Sequence, residues 1–223
     1  MAFPSPVVIG ATARHTATII FLHGLGDTGH GWSYAFNNIK SPHIKYICPT
    51  ACSLKVTMNG GFEMPAWFDI RSLSLSSKAE EDEKNIKASA AYVLSLIEKE
   101  EKEHGIAPNR IVIGGFSQGG AVALYTALTS KSQLAGILAL SSWLPLHRSF
   151  PASLKGNQNT PILQCHGNAD PVVQFKYGEE TAKMLSKMCT NTEFKVYEGL
   201  PHSSSDAELN DVRKWLEKVL PAQ

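Results

Sequence analysis

The sequence predicts an α/β fold with a largely parallel sheet, and three observations carry that expectation. Short apolar runs alternate along the chain with segments of helical period. The runs are apolar at consecutive positions, as strands covered on both faces are. Both kinds of segment recur from end to end without a linker, an internal repeat or a low-complexity tract. At 223 residues and 24.3 kDa one hydrophobic core suffices, so residues 1–223 are expected to form a single domain.

Residues 16–22 (TATIIFL) form the first apolar run, closed by the glycines that begin at Gly24. Residues 44–48 form the second, closed by Pro49. A helical period follows, with Ile86, Ala90, Val93, Leu94 and Ile97 on one face. The run 110–113 leads into a glycine cluster and a helix-like stretch from Gln118 to Thr129. Runs at 136–140, 161–165 and 194–197 bring the expected strands to six, and Leu209, Val212, Trp215, Leu216 and Val219 share the face of a last helix. Residues 73–77 and 156–160 are polar, small-residue loops, and residues 54–75 read as an irregular segment.

Composition removes several functions. With 43% hydrophobic residues the chain is too apolar for disorder, and a net charge of +1 without a dense basic run gives no field to attract nucleic acid. No apolar stretch approaches the roughly 18 to 20 residues that span a bilayer, and no secretory signal is legible. A cytoplasmic protein is therefore expected, at most in peripheral contact with membranes, with Cys48, Cys52, Cys165 and Cys189 as thiols. Cys48 and Cys52 have no matching second pair, so no metal is expected.

Two glycine turns follow expected strands. Gly24, Gly26 and Gly29 match the spacing of a dinucleotide fingerprint, which demands an acid about 20 residues on to bind a ribose hydroxyl. Nothing acidic occurs from Thr28 through Phe62, so that reading fails. The second turn, Gly115-Phe116-Ser117-Gln118-Gly119, is G-x-S-x-G between a strand and a helix, with no P-loop lysine after it. That context describes a nucleophile elbow, in which glycines two residues to either side let a serine occupy the tip of a sharp turn. Ser117 becomes the candidate nucleophile, and the Gln118 N–H, at the helix N-terminus, a candidate oxyanion donor.

A serine so placed needs an orienting acid and then a base, in that chain order. Residues 118–169 contain no carboxylate, so Asp170, just past the run 161–165, is the first available. His147 and His166 precede it, which leaves His202 as the base. Glu179, Glu180, Glu193 and Glu198 are expected to face solvent, His166 to brace the acid loop and His23 to shape the first turn. The first glycine turn then supplies the second oxyanion donor, with the Leu25 N–H in that place.

With these residues assembled, the chain resembles the acyl-protein thioesterase family of small serine hydrolases, which includes lysophospholipases and carboxylesterases. The resemblance spans essentially the whole chain and rests on Phe21 to Trp32 (FLHGLGDTGHGW), Gly114 to Gly120 (GGFSQGG), Gln164-Cys165-His166-Gly167 with Asp170-Pro171, and Pro201-His202-Ser203-Ser204. Met64 to Asp69 (MPAWFD) and Ser142 to Leu146 (SWLPL) add to it. It implies an α/β-hydrolase fold and a cofactor-free hydrolase of palmitoyl thioesters on proteins, with lysophospholipids and simple esters as further substrates. Vertebrate members carry Cys directly after the initiator Met, where this chain has Ala2, and residues 51–62 lack the proline-richer run usual there.

The short interval between Ser117 and Asp170 leaves no room for a cap domain, so the nucleophile should be open to bulky substrates. About half of the apolar residues in 54–75 are expected in the core. Trp67, Leu73 and Leu75, with Trp143 and Val172, are expected to line an acyl groove. The alternatives are a short-chain carboxylesterase, and a non-catalytic binding protein, which would more often lack a triad member.

Overall fold

The computed structural model describes residues 3–72 and 80–223. A seven-stranded sheet runs in the order β1-β3-β2-β6-β7-β8-β9. Its strands are β1 (Val7–Ile9), β2 (Ala17–Leu22), β3 (Ile44–Cys48), β6 (Ile111–Phe116), β7 (Gly136–Leu140), β8 (Ile162–Gly167) and β9 (Thr192–Tyr197). All neighbours pair in parallel except β1, which lies antiparallel to β3 at one edge. β4 (Ser53–Val56) and β5 (Phe62–Pro65) form a separate antiparallel hairpin beside it.

Alternation divides the core between the two faces. In β2, Ile20 and Leu22 pack with α2 (Glu83–His104), α3 (Gln118–Thr129) and α4 (Phe175–Met188). Ile19 and Phe21, one residue out of phase, pack with α1 (Gly29–Ile39) and α5 (Asp206–Val219). β6 repeats the pattern, sending Ile111 and Ile113 to the first face and Val112 to the second. Gly136 opens β7 because the Trp215 indole of α5 lies on it; a Cβ there would meet that ring at 2.6 Å.

The expected α/β architecture is present, and the six expected strands form with shifted ends. β6 continues through Gly114 and Gly115, which stay in register with Leu138 and Ala139, and β8 continues through His166 and Gly167. β1, the β4–β5 hairpin, α1 and α4 were not legible. β1 has three residues, too few to show a period. Residues 54–65, in a segment expected to be irregular, instead belong to the β4–β5 hairpin, whose strands show mixed burial without a clean apolar face, while residues 66–72 are irregular as expected. α1 opens on glycine and histidine, yet buries Trp32 and Phe36 one turn apart. α4 buries Gly178, Thr181 and Leu185, of which one alone is a large apolar residue.

The strand order changes direction between β2 and β6. After β2 the chain crosses outward to β3, and from β6 onward it proceeds toward the other edge. Loops leaving the carboxyl ends of two such strands part and open a crevice, where α/β folds bind ligands. Here those loops are the two glycine turns. Between Ser117 and Asp170 lie α3, β7, a 3₁₀ turn at His147–Ser149 and β8, with no inserted domain.

Candidate active site

Ser117 occupies the single residue between β6 and α3, at φ 53° and ψ −120°. That conformation is costly for a residue with a Cβ and persists only where its surroundings fix it. The Ser117 N–H donates to the Leu140 carbonyl at 2.8 Å, and its own carbonyl accepts from the Ser142 hydroxyl at 2.7 Å. The turn is tight enough that a Cβ on Gly115 would lie 2.3 Å from the Gly119 backbone. One on Gly119 would lie 2.2 Å from the Leu22 carbonyl oxygen.

Asp170 and His202 arrive from the ends of β8 and β9. His202 Nε2 is 3.0 Å from Ser117 Oγ, and His202 Nδ1 is 2.7 Å from Asp170 Oδ2. A carboxylate only accepts, so Nδ1 carries the proton and the Nε2 lone pair faces the serine hydroxyl. Asp170 Oδ1 accepts from the Val172 and Val173 amides at 2.8 and 2.9 Å. Burial of this side chain pushes its carboxyl up, but His166, His202 and the Val172 amide outweigh burial and hold it well below the usual carboxylate range. His166 Nε2 donates to the Val173 carbonyl at 2.8 Å and lies 3.5 Å from Asp170 Oδ2, so it braces the acid loop from beneath. His147, the other histidine between Ser117 and the acid, is half-buried in its 3₁₀ turn. Of the competing acids, Glu180, Glu193 and Glu198 are exposed and Glu179 half-buried.

The two candidate oxyanion amides belong to adjoining loops. The Leu25 N–H shares its peptide group with the Gly24 carbonyl, so whatever holds that oxygen aims the amide. His23 Nδ1 lies 2.6 Å from it, and the Asp27 N–H donates to it at 3.2 Å. His23 Nε2 accepts from the Ala51 amide at 3.0 Å, which leaves the ring neutral with its proton on Nδ1. Desolvation lowers the basicity of this wholly buried ring in the same sense.

A second clamp was not legible in the sequence. The Gln118 side chain, fully buried, accepts from the Trp67 N–H at 2.9 Å and donates to the Phe68 carbonyl at 2.7 Å. The Trp67 indole N–H in turn donates to the His23 carbonyl at 2.9 Å. Trp67 was expected in the acyl groove; it is 1% exposed and ties the Ser117 turn to the loop after β2. Its place is in the core because residues 66–68 run beneath both loops, where an aromatic ring with one donor satisfies a buried carbonyl.

Above Ser117 and His202 lies a cavity of about 300 Å³ walled by Leu25, Met58, Ile70, Trp143, Val172 and Val173. Trp143 and Val172 were expected there, Met58 and Ile70 belong to the apolar residues of 54–75 expected to divide between core and groove, and Val173 was not expected. Leu73 and Leu75 lie outside the described residues. Of the apolar residues expected to divide between core and groove, Val56, Trp67 and Phe68 are buried, whereas Met58 and Phe62 are exposed.

Known proteins with this fold and this sequence pattern are numerous. The family model for phospholipases/carboxylesterases matches residues 4–220. An acyl-protein thioesterase 1 of Neurospora crassa is 46% identical over 97% of this chain and 92% of its own length. One from Gibberella zeae is 43% identical over 97% of this chain and 96% of its own. Among solved structures, acyl-protein thioesterase 2 of Zea mays superposes with a TM-score of 0.87 at 36% identity, covering 96% of this chain and 98% of that one.

Proposed function

The chain belongs to the phospholipase/carboxylesterase family, and on that premise we propose that it hydrolyses acyl thioesters and esters, removing palmitoyl groups from S-acylated proteins through an acyl-enzyme on Ser117. The observation that carries this reading is the chain of contacts from Ser117 Oγ through His202 to Asp170, at 3.0 and 2.7 Å, at the floor of an apolar cavity.

Ser117 attacks the acyl carbonyl while His202 Nε2 takes its proton. Asp170 fixes the tautomer of the ring and offsets the imidazolium charge. The Leu25 and Gln118 amides bind the oxyanion, each typically worth about 2.7–4 kcal/mol in the transition state. The tetrahedral intermediate collapses as His202 passes its proton to the departing sulfur or oxygen. A water activated by the same imidazole then releases the fatty acid. No metal or organic cofactor is called for at any step.

The cavity walls bear on substrate choice. Enclosing a methylene is worth about 0.8 kcal/mol, so eight enclosed methylenes contribute about 6 kcal/mol, enough to favour long acyl groups over acetyl. The acyl-protein thioesterase names of the relatives support S-acylated proteins as substrates. Lysophospholipids as further substrates, in keeping with the phospholipase/carboxylesterase family, and a cytoplasmic setting belong to the same proposal. No helix among the described residues is long and apolar enough to cross a membrane.

The test pairs a fluorophosphonate label with a substrate comparison. Wild-type protein should be labelled, Ser117→Ala should not, and palmitoyl thioesters should be turned over with higher kcat/KM than acetyl ones. Undiminished labelling of Ser117→Ala would remove the nucleophile. A clear preference for acetyl esters would make the protein a short-chain carboxylesterase.

A further inference from the structure

A second cavity adjoins the first at His202 and differs from it in chemistry. It measures about 260 Å³ and is lined by Asp27, Trp32, Phe116, His202, Ser203 and Ser204. Asp27, Phe116 and His202 line both spaces, but Ser117, Leu25 and the apolar walls belong to the first alone. His202 must deliver its proton to the leaving atom, so the leaving group departs on the side of the imidazole away from the acyl chain. The second cavity, which touches His202 but neither Ser117 nor the acyl walls, is the space that fits that side.

Among its described lining side chains Asp27 alone carries a standing charge, His202 being cationic only while it holds the serine proton. Asp27 is half-buried, its Oδ1 accepts from the Thr28 amide at 2.7 Å, and no Lys, Arg or His lies within ion-pair distance among the described residues. The carboxylate rests against Gly31, where a Cβ would come within 2.7 Å of Oδ2, so glycine at 31 is what gives it room. No described Lys or Arg lines either cavity. The Trp32 and Phe116 rings, 5.5 Å apart, add π faces that attract cations.

We propose that this second cavity is the leaving-group subsite and that Asp27 makes it select a cationic leaving group, either a Lys or Arg side chain beside the acylated cysteine or the quaternary ammonium of a lysophospholipid headgroup. The inference rests on the acyl-hydrolase reading of Ser117. Ser203 and Ser204 supply hydroxyls for the backbone or glycerol of the same leaving group.

The experiment measures kcat/KM for matched S-acyl-cysteine peptides with Lys, Gln or Glu beside the acylated residue. In parallel it compares lysophosphatidylcholine with lysophosphatidylglycerol, for wild type and Asp27→Asn. Wild type should favour Lys over Gln by about two- to fivefold, the size of a solvent-accessible ion pair. Glu should be worst, and the preference should shrink as salt screens it. Asp27→Asn, whose amide oxygen can still serve the Thr28 N–H, should lose the discrimination. A charge preference confined to the peptides or to the lipids, and abolished by Asp27→Asn, assigns the source of the cation. Equal turnover across both series, or a preference that survives in Asp27→Asn, overturns the subsite. Absence of hydrolysis of every substrate by wild type would instead refute the acyl-hydrolase reading, and the subsite with it.

Discussion

At the scale of single residues, the site depends on groups that never touch substrate. Ser117 holds a conformation that costs of order 1–3 kcal/mol, secured by the Leu140 and Ser142 contacts and by glycines on both sides. His23 illustrates the same economy. Its Nδ1–H holds the Gly24 oxygen, and since that oxygen and the Leu25 N–H point opposite ways across one trans peptide, the imidazole aims the proposed oxyanion donor. Replacing it by a ring with no hydrogen bonds removes the aim while keeping most of the volume. His23→Phe is expected to lower kcat toward the 10²–10³-fold loss of one oxyanion donor, with KM little changed. Steady-state kinetics on protein counted by active-site titration checks this, and a kcat within a few-fold of wild type would show that the Leu25 amide is held by other means. The roles of Ser117, Asp170 and His202 could be argued from motif and chain order. That of Trp67 could not, because whether an aromatic faces a groove or a loop from below depends on strands far apart in sequence.

The central strands were legible because they bury continuous apolar runs, whereas α1 was not, although it buries Trp32 and Phe36. β2, β3, β6, β7 and β8 are buried along nearly their whole length and read as continuous apolar runs. β1 and the β4–β5 hairpin pair at edges or by themselves, so their sequences carry no such run. α5 contains a polar exception that makes a prediction. Glu208, in its first turn, is wholly buried with neither carboxylate oxygen bonded among the described residues, and burial pushes its carboxyl up to about 8. With an ordinary value of 4.5 in the unfolded chain, the folded protein binds the extra proton between about pH 4.5 and 8. Stability from this group is therefore full below that window and is lost as pH rises through it. Glu208→Gln should flatten the fall in Tm between pH 5 and 8 and raise Tm at the upper end. Thermal melts across that range test it; an unchanged slope would mean that Glu208 finds a partner in solution.

Across the whole molecule, near-neutral charge conceals two opposed regions. Residues 28–62 hold Lys40, Lys45 and Lys55 without an acid, and residues 78–104 hold eight acids against five lysines. They meet where Lys45 Nζ lies 2.6 Å from the buried Glu100 Oε1 and Thr18 donates to Oε2 at 2.7 Å, joining β2, β3 and α2 at the end of the sheet away from Ser117. The acid-free stretch that excluded a dinucleotide is thus also the stretch that crosses from the oxyanion turn to β3. The parallel order of the sheet, the split at β2 and β6, and the return of β8 and β9 to the same edge bring four loops together. Their convergence was implied by strand alternation and chain order, whereas the shape of the cavities was not, since Met58, Ile70 and Val172 reach it from loops without periodic pattern. The central claim, that these loops form an acyl-enzyme, is tested most directly by trapping it. His202→Ala mixed with a palmitoyl thioester, or wild type quenched in acid during turnover, should be digested and the Ser117-containing peptide weighed. Wild type should carry one palmitoyl group on Ser117, whereas His202→Ala should gain it far more slowly. Turnover with no acyl group on that peptide, or with the group on another residue, would contradict the account.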